Sequence, residues 1–310
     1  MKAQRDVWGQ TLVDLARTDL RVAVVDGDLA TSTKADLFAD AFPDRFFEIG
    51  IAEQNMVGVA FGLSTLGFRP WLSTFGVFLT HRALDPIRML VSQTGAPVKI
   101  AASYAGLLNG SSGKTHQDIE DLAIMRAMPG MTVIAPADAV EAEAAIRWAA
   151  EHEGPVYLRL ARDAVAEVFN PGYSFVQGAV HILREGDGAI LVSTGVQSSR
   201  VMDAAGLLAA EGIETRVVHV PCLKPLDEAA LLTALSGPAP IFTVEEHSII
   251  GGLGGLVSEL VTGTTLGKTV TRLGLADAWS ESAPNAYLLD KYGLSAVRVA
   301  EQVSHALADD

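Results

Sequence analysis

One glutamate stands where a carboxyl group could exchange a proton. Glu53 lies at the start of the apolar, helix-forming run 56–63, after a short aromatic segment typical of a strand. A carboxyl group half-buried among apolar neighbours such as Ile51, Met56 and Phe75 is harder to ionise, so it can hold a proton and hand it over. The ordinary alternative is an acidic residue in the first turn of a helix, where the helix dipole favours a negative charge. We therefore take Glu53 as a candidate acid–base group.

Two phenylalanines and two histidines follow in the same half of the chain. Phe75 and Phe78 are three residues apart and His81 comes three later, so on a helix these side chains share a face. The ordinary interpretation of such a face is packing in a core. His116 lies in the segment 113–117, and the glycines before it give this loop the freedom to line a cleft. An imidazole there could exchange a proton near neutral pH.

The elements around these residues predict an α/β fold. Short apolar or β-branched runs alternate with helical patterns, which is typical of a parallel sheet covered by helices on both faces. In the first half we predict strands at 21–25 and 131–135 and a helix over 138–151, with Asp138 as its N-cap. The second half predicts strands at 189–195, 215–220 and 240–244, and helices at 201–211 (ended by Gly212), 253–261 and 295–307.

The pattern restarts after a stretch rich in turn-forming residues at 169–173. We predict two doubly wound α/β domains, each with a largely parallel sheet covered by helices. The first spans residues 1–168 and the second residues 185–310, and a linker at 169–184 joins them.

Composition limits the class of function. The chain has 310 residues, of which 49% are hydrophobic and 19% charged, as in well-buried globular domains. A net charge of −14 argues against nucleic acid or an anionic membrane as a partner, but allows a small anionic substrate where a few cations line a cleft. The N-terminus has no apolar signal segment, no run is long enough to span a membrane, and Cys222 is the single cysteine. We expect a cytoplasmic protein without an internal disulfide.

Three short segments occur in a fixed order between residues 50 and 117. They are Gly-Ile-Ala-Glu-Gln-Asn at 50–55, Ser-Thr-Phe-x-x-Phe at 73–78 and Thr-His-Gln at 115–117. Together they resemble the pyrimidine-binding half of transketolase, a thiamine diphosphate enzyme, and the resemblance continues through the whole chain. It implies the two domains predicted above, the second being like the transketolase C-terminal domain, and thiamine diphosphate as cofactor.

The resemblance also implies roles for the residues singled out above. In that family the glutamate matching Glu53 hydrogen-bonds N1′ of the aminopyrimidine and favours the imino tautomer, whose N4′ then takes the proton from thiazolium C2. Phe75 and Phe78 would stack on the pyrimidine. His81 stands where the family often has a tyrosine and would extend the same contact. His116 would bond the hydroxyl or carbonyl oxygens of a donor ketose and take part in catalysis.

The resemblance is incomplete among the residues expected to bind substrate. Ser32 and Arg162 match positions that bind substrate phosphate, and Asp28 is a further predicted cofactor contact. Tyr104 and Ser112 stand where transketolases acting on sugar phosphates have a histidine and an aspartate. We still expect both to line the substrate site, but their identities make the usual ketose phosphate donor doubtful.

No metal-binding residue is predicted in this chain. Gly-Asp-Gly at 186–188 opens like the family's magnesium–diphosphate motif, but the asparagines that should follow are missing. The Gly-rich segment 251–255 and Glu-Glu-His at 245–247 resemble a structural signature of the transketolase C-terminal domain. The chain therefore resembles the second subunit of a split transketolase. Its separate N-terminal partner would bind the diphosphate and Mg²⁺, giving an α2β2 heterotetramer that acts on a small sugar or keto substrate.

Three alternatives remain open from the sequence. The beta subunit of a 2-oxo acid dehydrogenase has a similar length but usually a His-Ser-Gln type of loop. Deoxyxylulose-phosphate synthase has a similar Thr-His-Gln loop but is normally one long chain. A non-catalytic scaffold with the same fold is the third, against which the retention of Glu53, Phe75, Phe78 and His116 speaks.

Overall fold

Two helix-covered sheets organise the computed structural model, which describes residues 1–308. In chain order the strands are β1 (Val22–Asp26), β2 (Phe46–Glu48), β3 (Arg69–Phe75), β4 (Lys99–Ser103), β5 (Thr132–Ile134), β6 (Val156–Leu160), β7 (His181–Arg184), β8 (Ala189–Ser193), β9 (Thr215–His219), β10 (Cys222–Lys224), β11 (Ile241–Ser248) and β12 (Val270–Leu275).

The helices cover the faces of both sheets. In chain order they are α1 (Gln4–Ala16), α2 (Ala30–Thr33), α3 (Asp36–Ala41), α4 (Glu53–Thr65), α5 (Leu84–Pro86), α6 (Asp121–Ala127), α7 (Ala139–Glu151), α8 (Gln197–Ala210), α9 (Glu228–Ala234), α10 (Leu253–Thr262), α11 (Asn285–Lys291) and α12 (Ala296–Ala308). Segments of π-helix flank α5 at Phe78–Arg82 and Ile87–Ser92, and 3₁₀ turns lie at Pro43–Arg45 and Gly110–Ser112. No helix within residues 1–308 is both long and apolar enough to cross a lipid bilayer.

Among the described residues, the first sheet has seven strands in the order β10-β5-β6-β4-β3-β1-β2. Its strands pair in parallel except at the β10–β5 edge. The second sheet has five strands within residues 1–308, in the order β12-β11-β8-β9-β7, and only the β7–β9 edge is antiparallel. The predicted fold class, two largely parallel sheets covered by helices, is confirmed.

Alternating side chains fill the space on both faces of the first sheet. Leu72 and Ile100 point to one face, where Met56 of α4 packs against them, and all three are fully buried. Trp71 points to the other face and packs with Trp8 of α1, also fully buried. Strands buried on both faces explain why the sequence shows nearly continuous apolar runs rather than a strict alternation.

Several boundaries differ from the sequence prediction, for identifiable reasons. Helix α7 begins after Asp138 as predicted, and the Asp138 Oδ1 atom accepts a hydrogen bond from the Glu141 N–H at 2.8 Å. Helix α8 begins at Gln197, earlier than predicted, because its first turn buries polar side chains that hide the apolar pattern. Ser198 is one of these, and its hydroxyl lies 2.6 Å from the His219 ring.

One strand crosses from the second half of the chain into the first sheet. Strand β10 follows β9 of the second sheet but pairs with β5 of the first. A three-residue strand carries too little periodicity to be predicted, and its partner lies far away along the chain. The two halves therefore share a sheet edge. The domain limits drawn from the sequence stay a prediction.

The sheet order brings the candidate residues to the carboxyl ends of the strands in the first sheet. Strands β1, β3 and β4 are neighbours and parallel, so their carboxyl ends lie side by side. Asp28 follows the end of β1, Phe75 ends β3, and Tyr104 follows β4. Glu53 opens α4, which follows the edge strand β2. Open α/β sheets bind their ligands at the carboxyl ends of their strands.

Candidate active site

Phe75 and Phe78 come together, but not on a shared helix. Phe75 is the last residue of β3, whereas Phe78 is the first residue of a π-helical segment, so the predicted helical face is wrong. The chain turns between them at Gly76, where an added Cβ would come 2.9 Å from Asp118 Oδ2. The two rings still stack, with centroids 5.8 Å apart and planes 23° apart. They form a continuous aromatic surface.

Tyr104 and His116 extend this surface. The Tyr104 ring stacks on Phe75 with a centroid distance of 4.3 Å, and the His116 ring meets Phe78 edge-on at 5.4 Å. Tyr104 has φ of 60°, a left-handed backbone conformation that is uncommon for a bulky residue and clusters at functional sites. We call Phe75, Phe78, Tyr104 and His116 the aromatic cluster.

Two arginine side chains contact Tyr104. The Tyr104 hydroxyl donates to the Ser32 carbonyl at 3.1 Å and accepts a hydrogen bond from Arg5, which also donates to that carbonyl at 3.0 Å. The Arg162 guanidinium lies 5.4 Å from the centre of the Tyr104 ring. The structure thus brings together Ser32, Tyr104 and Arg162, and their role in binding substrate stays a prediction. Sequence reasoning missed Arg5, which belongs to no motif.

Glu53 is buried and paired with an arginine that the sequence did not single out. It is the first residue of α4 and only 4% exposed, and its Oε1 atom accepts a hydrogen bond from Arg82 at 2.9 Å. The Arg82 guanidinium also lies 4.0 Å from the centre of the Phe78 ring, so it connects Glu53 to the aromatic cluster. Ile51 is 72% exposed and does not bury Glu53, contrary to the sequence prediction.

An open cleft of about 500 Å³ lies in front of Glu53. Residues from the start of α4 line it together with Arg82. The cleft gives the Glu53 end of the site direct access from outside. Arg82 is half-exposed at its rim. Its position in the sequence carries no signal, because it falls one residue beyond the helical series 75/78/81.

His81 is held by an acidic residue next to the aromatic cluster. Its Nε2 atom lies 3.2 Å from Glu120 Oε1, and this hydrogen bond raises the pKa of His81. Asp118 lies close by and is fully buried, and Thr80 donates a hydrogen bond to its Oδ2 atom at 2.8 Å. Burial and the nearby charge of Asp121 raise the pKa of Asp118 well above its usual range.

Asp28 and Ser112 make their hydrogen bonds away from the aromatic cluster. Asp28 is exposed with φ of 65°, and its N–H donates to Glu48 Oε1 at 2.9 Å. The Ser112 hydroxyl is exposed and donates to Asn109 Oδ1 at 3.0 Å within its own loop. Among the candidates, these two have the fewest structural ties to the rest of the site.

Asp26 is a buried acid at the same sheet edge that sequence reasoning passed over. Its Oδ1 atom accepts a hydrogen bond from the Leu29 N–H at 2.8 Å, and within residues 1–308 its Oδ2 atom has no partner. Burial raises the pKa of Asp26 to about 6, although the hydrogen bond from the Leu29 N–H opposes the shift. The only sequence signal is its position at the end of an apolar strand.

The Glu-Glu-His segment has structural contacts. Glu245 accepts hydrogen bonds from the first N–H groups of α10, at 2.6 Å from Leu253 and 2.8 Å from Gly254. Glu246 accepts from the N–H of Leu107 at 2.8 Å and so ties the loop before His116 to the second sheet. Both carboxyl groups therefore hold backbone segments in place, one at the start of α10 and the other in the loop before His116.

Two families of known proteins match this chain. Residues 1–167 match the family described as "Transketolase, pyrimidine binding domain", and residues 178–299 match "Transketolase, C-terminal domain". This chain belongs to the transketolase family. Membership implies dependence on thiamine diphosphate, in line with the cofactor expected from the sequence.

Relatives of similar length narrow the family further. A protein named as a transketolase C-terminal section, from Methanocaldococcus jannaschii, is 38% identical over 97% of this chain and 95% of its own length. A 6-deoxy-6-sulfo-D-fructose transketolase subunit from Clostridium sp. strain MSTE9 is 35% identical over 97% of this chain and 94% of its own.

A solved structure of a split transketolase shows the same similarity. A split-gene transketolase, solved as an inactive β4 tetramer, is 44% identical, covers 99% of both chains and has a TM-score of 0.91. Because similarity to these separate subunits extends over almost their whole length, the chain is a beta-type transketolase subunit.

Proposed function

We propose that this chain transfers a two-carbon ketol unit from a ketose-type donor to an aldehyde acceptor, and that it does so only with a separate diphosphate-binding subunit. The observation that carries the proposal is the buried Glu53 beside the stacked rings of Phe75 and Phe78, in a chain of the transketolase family. Thiamine diphosphate supplies the carbanion chemistry of this family when it is bound.

Glu53 and the neighbouring aromatic rings suit the aminopyrimidine ring of that cofactor. Phe75 and Phe78 offer an aromatic surface on which a flat ring can stack. Glu53 offers a buried carboxyl group that can bond a ring nitrogen, at the back of an open cleft. These three residues would hold the ring, with His81 and Asp28 as further contacts.

Glu53 would hold a proton at N1′ of the pyrimidine. In the structure Arg82 donates to the Glu53 Oε1 atom, so this oxygen already has a hydrogen-bond partner. Arg82 must therefore turn away before Glu53 can share a proton with the ring. Its side chain is 49% exposed, which leaves it free to do so.

The substrate would lie between His116 and the arginines around Tyr104. His116 would orient the donor's oxygen atoms, while Arg162 and Arg5 attract an anionic end group. Tyr104 fills the place of a cation-capable residue, and Ser112 that of an acid. We infer a donor other than the usual ketose phosphate, and the relative named for a sulfo-sugar supports an anionic group of another kind.

The partner would bring the diphosphate and Mg²⁺ site. The sequence carries no complete Gly-Asp-Gly…Asn motif, and the relatives of matching length are separate subunits. We propose an α2β2 assembly in which this chain contributes the pyrimidine side of each cofactor site. Catalysis by Glu53 and His116 would then need both subunits.

Reconstitution tests the proposal. The purified chain is assayed for thiamine diphosphate binding and ketol transfer, alone and mixed with a separate N-terminal transketolase subunit that carries the diphosphate motif. We expect weak binding and no turnover by the chain alone, and Mg²⁺-dependent binding and turnover by the mixture. The same mixture made with Glu53→Gln is the matched control. Appreciable ketol transfer by the chain alone, free of host transketolase, would refute the split-subunit proposal.

A further inference from the structure

Three possible metal ligands converge beside the aromatic cluster. One ligand atom from each of His81, Asp118 and Glu120 lies within 4.8 Å of the other two. The closest pair, His81 Nε2 and Glu120 Oε1, is 3.2 Å apart. We propose that these residues bind a divalent transition-metal ion such as Zn²⁺, at a site distinct from the Mg²⁺ expected on the partner subunit.

The spacing needs only small side-chain movements to close around an ion. Ligand atoms about 2.0–2.2 Å from a tetrahedral zinc ion lie about 3.3–3.6 Å from one another. The distance between His81 Nε2 and Glu120 Oε1, 3.2 Å, is close to this range. His81 is 42% exposed and Glu120 partly exposed, so both side chains can adjust. Three protein ligands leave a fourth position open for water.

Asp118 has a buried carboxyl oxygen atom without a hydrogen-bond partner among the described residues. The side chain is fully buried, and Thr80 fixes its orientation by donating to Oδ2 at 2.8 Å. No group within residues 1–308 bonds its Oδ1 atom. An unpaired oxygen in such a place is costly, because a buried polar group has lost its water without gaining a partner. A metal ion would supply that partner.

The local charges also favour a cation. Arg159 is committed to Asp121, donating to its Oδ2 atom at 2.8 Å and its Oδ1 atom at 3.0 Å. Within residues 1–308, Asp118 forms no ion pair with a lysine or arginine. The Arg159 guanidinium is therefore not available to the carboxyl groups of Asp118 and Glu120.

The ligand types favour a transition metal over Mg²⁺ or Ca²⁺. Those two ions prefer oxygen ligands alone, whereas imidazole nitrogen suits zinc and its neighbours in the first transition series. Two of the ligands can be reached from outside. His81 is exposed, and Glu120 lines a cavity of about 260 Å³ together with Ser248 and Trp279.

Metal titration of the full chain, without cofactor or partner, tests the proposal. Zn²⁺ binding is measured by calorimetry, and Co²⁺ is used as a visible-absorbing probe of the same site. We expect one ion per chain, absorption typical of tetrahedral Co²⁺, and no displacement by excess Mg²⁺. His81→Gln and Asp118→Asn should each weaken binding by at least about 10-fold, the minimum usually seen when even an outer contact of a metal site is lost.

Two exposed residues provide the matched controls. His305→Gln removes an exposed imidazole, and Glu281→Gln removes an exposed carboxylate that pairs with Lys291, so neither should change the affinity. If Asp118→Asn does not fold, His81→Gln decides, because its side chain is largely at the surface. The proposal fails if the wild-type chain binds no Zn²⁺ ion, or if the control variants lose as much Zn²⁺ affinity as His81→Gln does. It also fails if His81→Gln binds Zn²⁺ as tightly as the wild type does.

Discussion

Replacing Glu53 by glutamine separates its proposed chemical role from its structural one. The amide keeps the size and one acceptor oxygen, so Arg82 can still donate to it at the position of Oε1. Arg82 is 49% exposed, so the ion pair is screened and its loss should change the free energy of unfolding by less than about 1 kcal/mol. We expect Glu53→Gln to fold and to assemble normally.

The chemical effect should be much larger. An amide cannot hold the exchangeable proton at N1′, and loss of a positioned acid–base group slows a proton transfer by about 10²–10⁴-fold. This corresponds to about 3–5 kcal/mol in the barrier. The effect on catalysis should therefore exceed the effect on stability several-fold.

Hydrogen–deuterium exchange at C2 of the cofactor, in the complex with the N-terminal subunit, measures this step directly. Urea unfolding of the free chain measures stability. Glu48→Gln is the matched control, because Glu48 is a nearby acid whose Oε1 atom accepts from the N–H groups of Asp28 and Gly50, which an amide oxygen can also do. Exchange at the wild-type rate in Glu53→Gln would return Glu53 to an ordinary carboxylate at a helix start.

Two further predictions concern substrate choice and pH. In the reconstituted pair, xylulose 5-phosphate should be a weaker donor than a ketose or 2-oxo acid without a phosphate. Arg162→Ala should raise KM for anionic donors, while Arg147→Ala, at an exposed position of α7, should leave it unchanged. Steady-state kinetics over a donor panel measures both, and a wide preference for xylulose 5-phosphate would contradict the reasoning. Asp26→Asn should stabilise the chain at pH 7.5 and not at pH 4. Because the folded pKa of Asp26 is raised to about 6, the folded state binds the extra proton between the unfolded and folded pKa values, so wild-type stability falls as pH rises through that window. The full shift corresponds to about 3 kcal/mol, and we expect about 1–2 kcal/mol because the amide nitrogen would also lack a partner. Urea unfolding at both pH values checks this, and an equal difference at both would exclude titration of Asp26 as the cause.

The sequence alone determined the features that depend on neighbouring residues. The alternation of apolar runs and helical patterns indicated the parallel sheets, and Asp138 marked the start of α7, as the structure has it. The three motif segments between residues 50 and 117 indicated the transketolase family, to which the chain belongs. Each of these signals lies within a few residues, where spacing and side-chain type decide the local structure.

Only the tertiary structure decided which side chains meet. Arg5 contacts Tyr104 across 99 positions of sequence, and Arg82 contacts Glu53 across 29. The helical spacing of Phe75 and Phe78 suggested the right pair for the wrong reason, since a strand end and a π-helical segment bring their rings together. Strand order decides such contacts, because parallel strands distant along the chain end at the same sheet edge. No local pattern encodes that order.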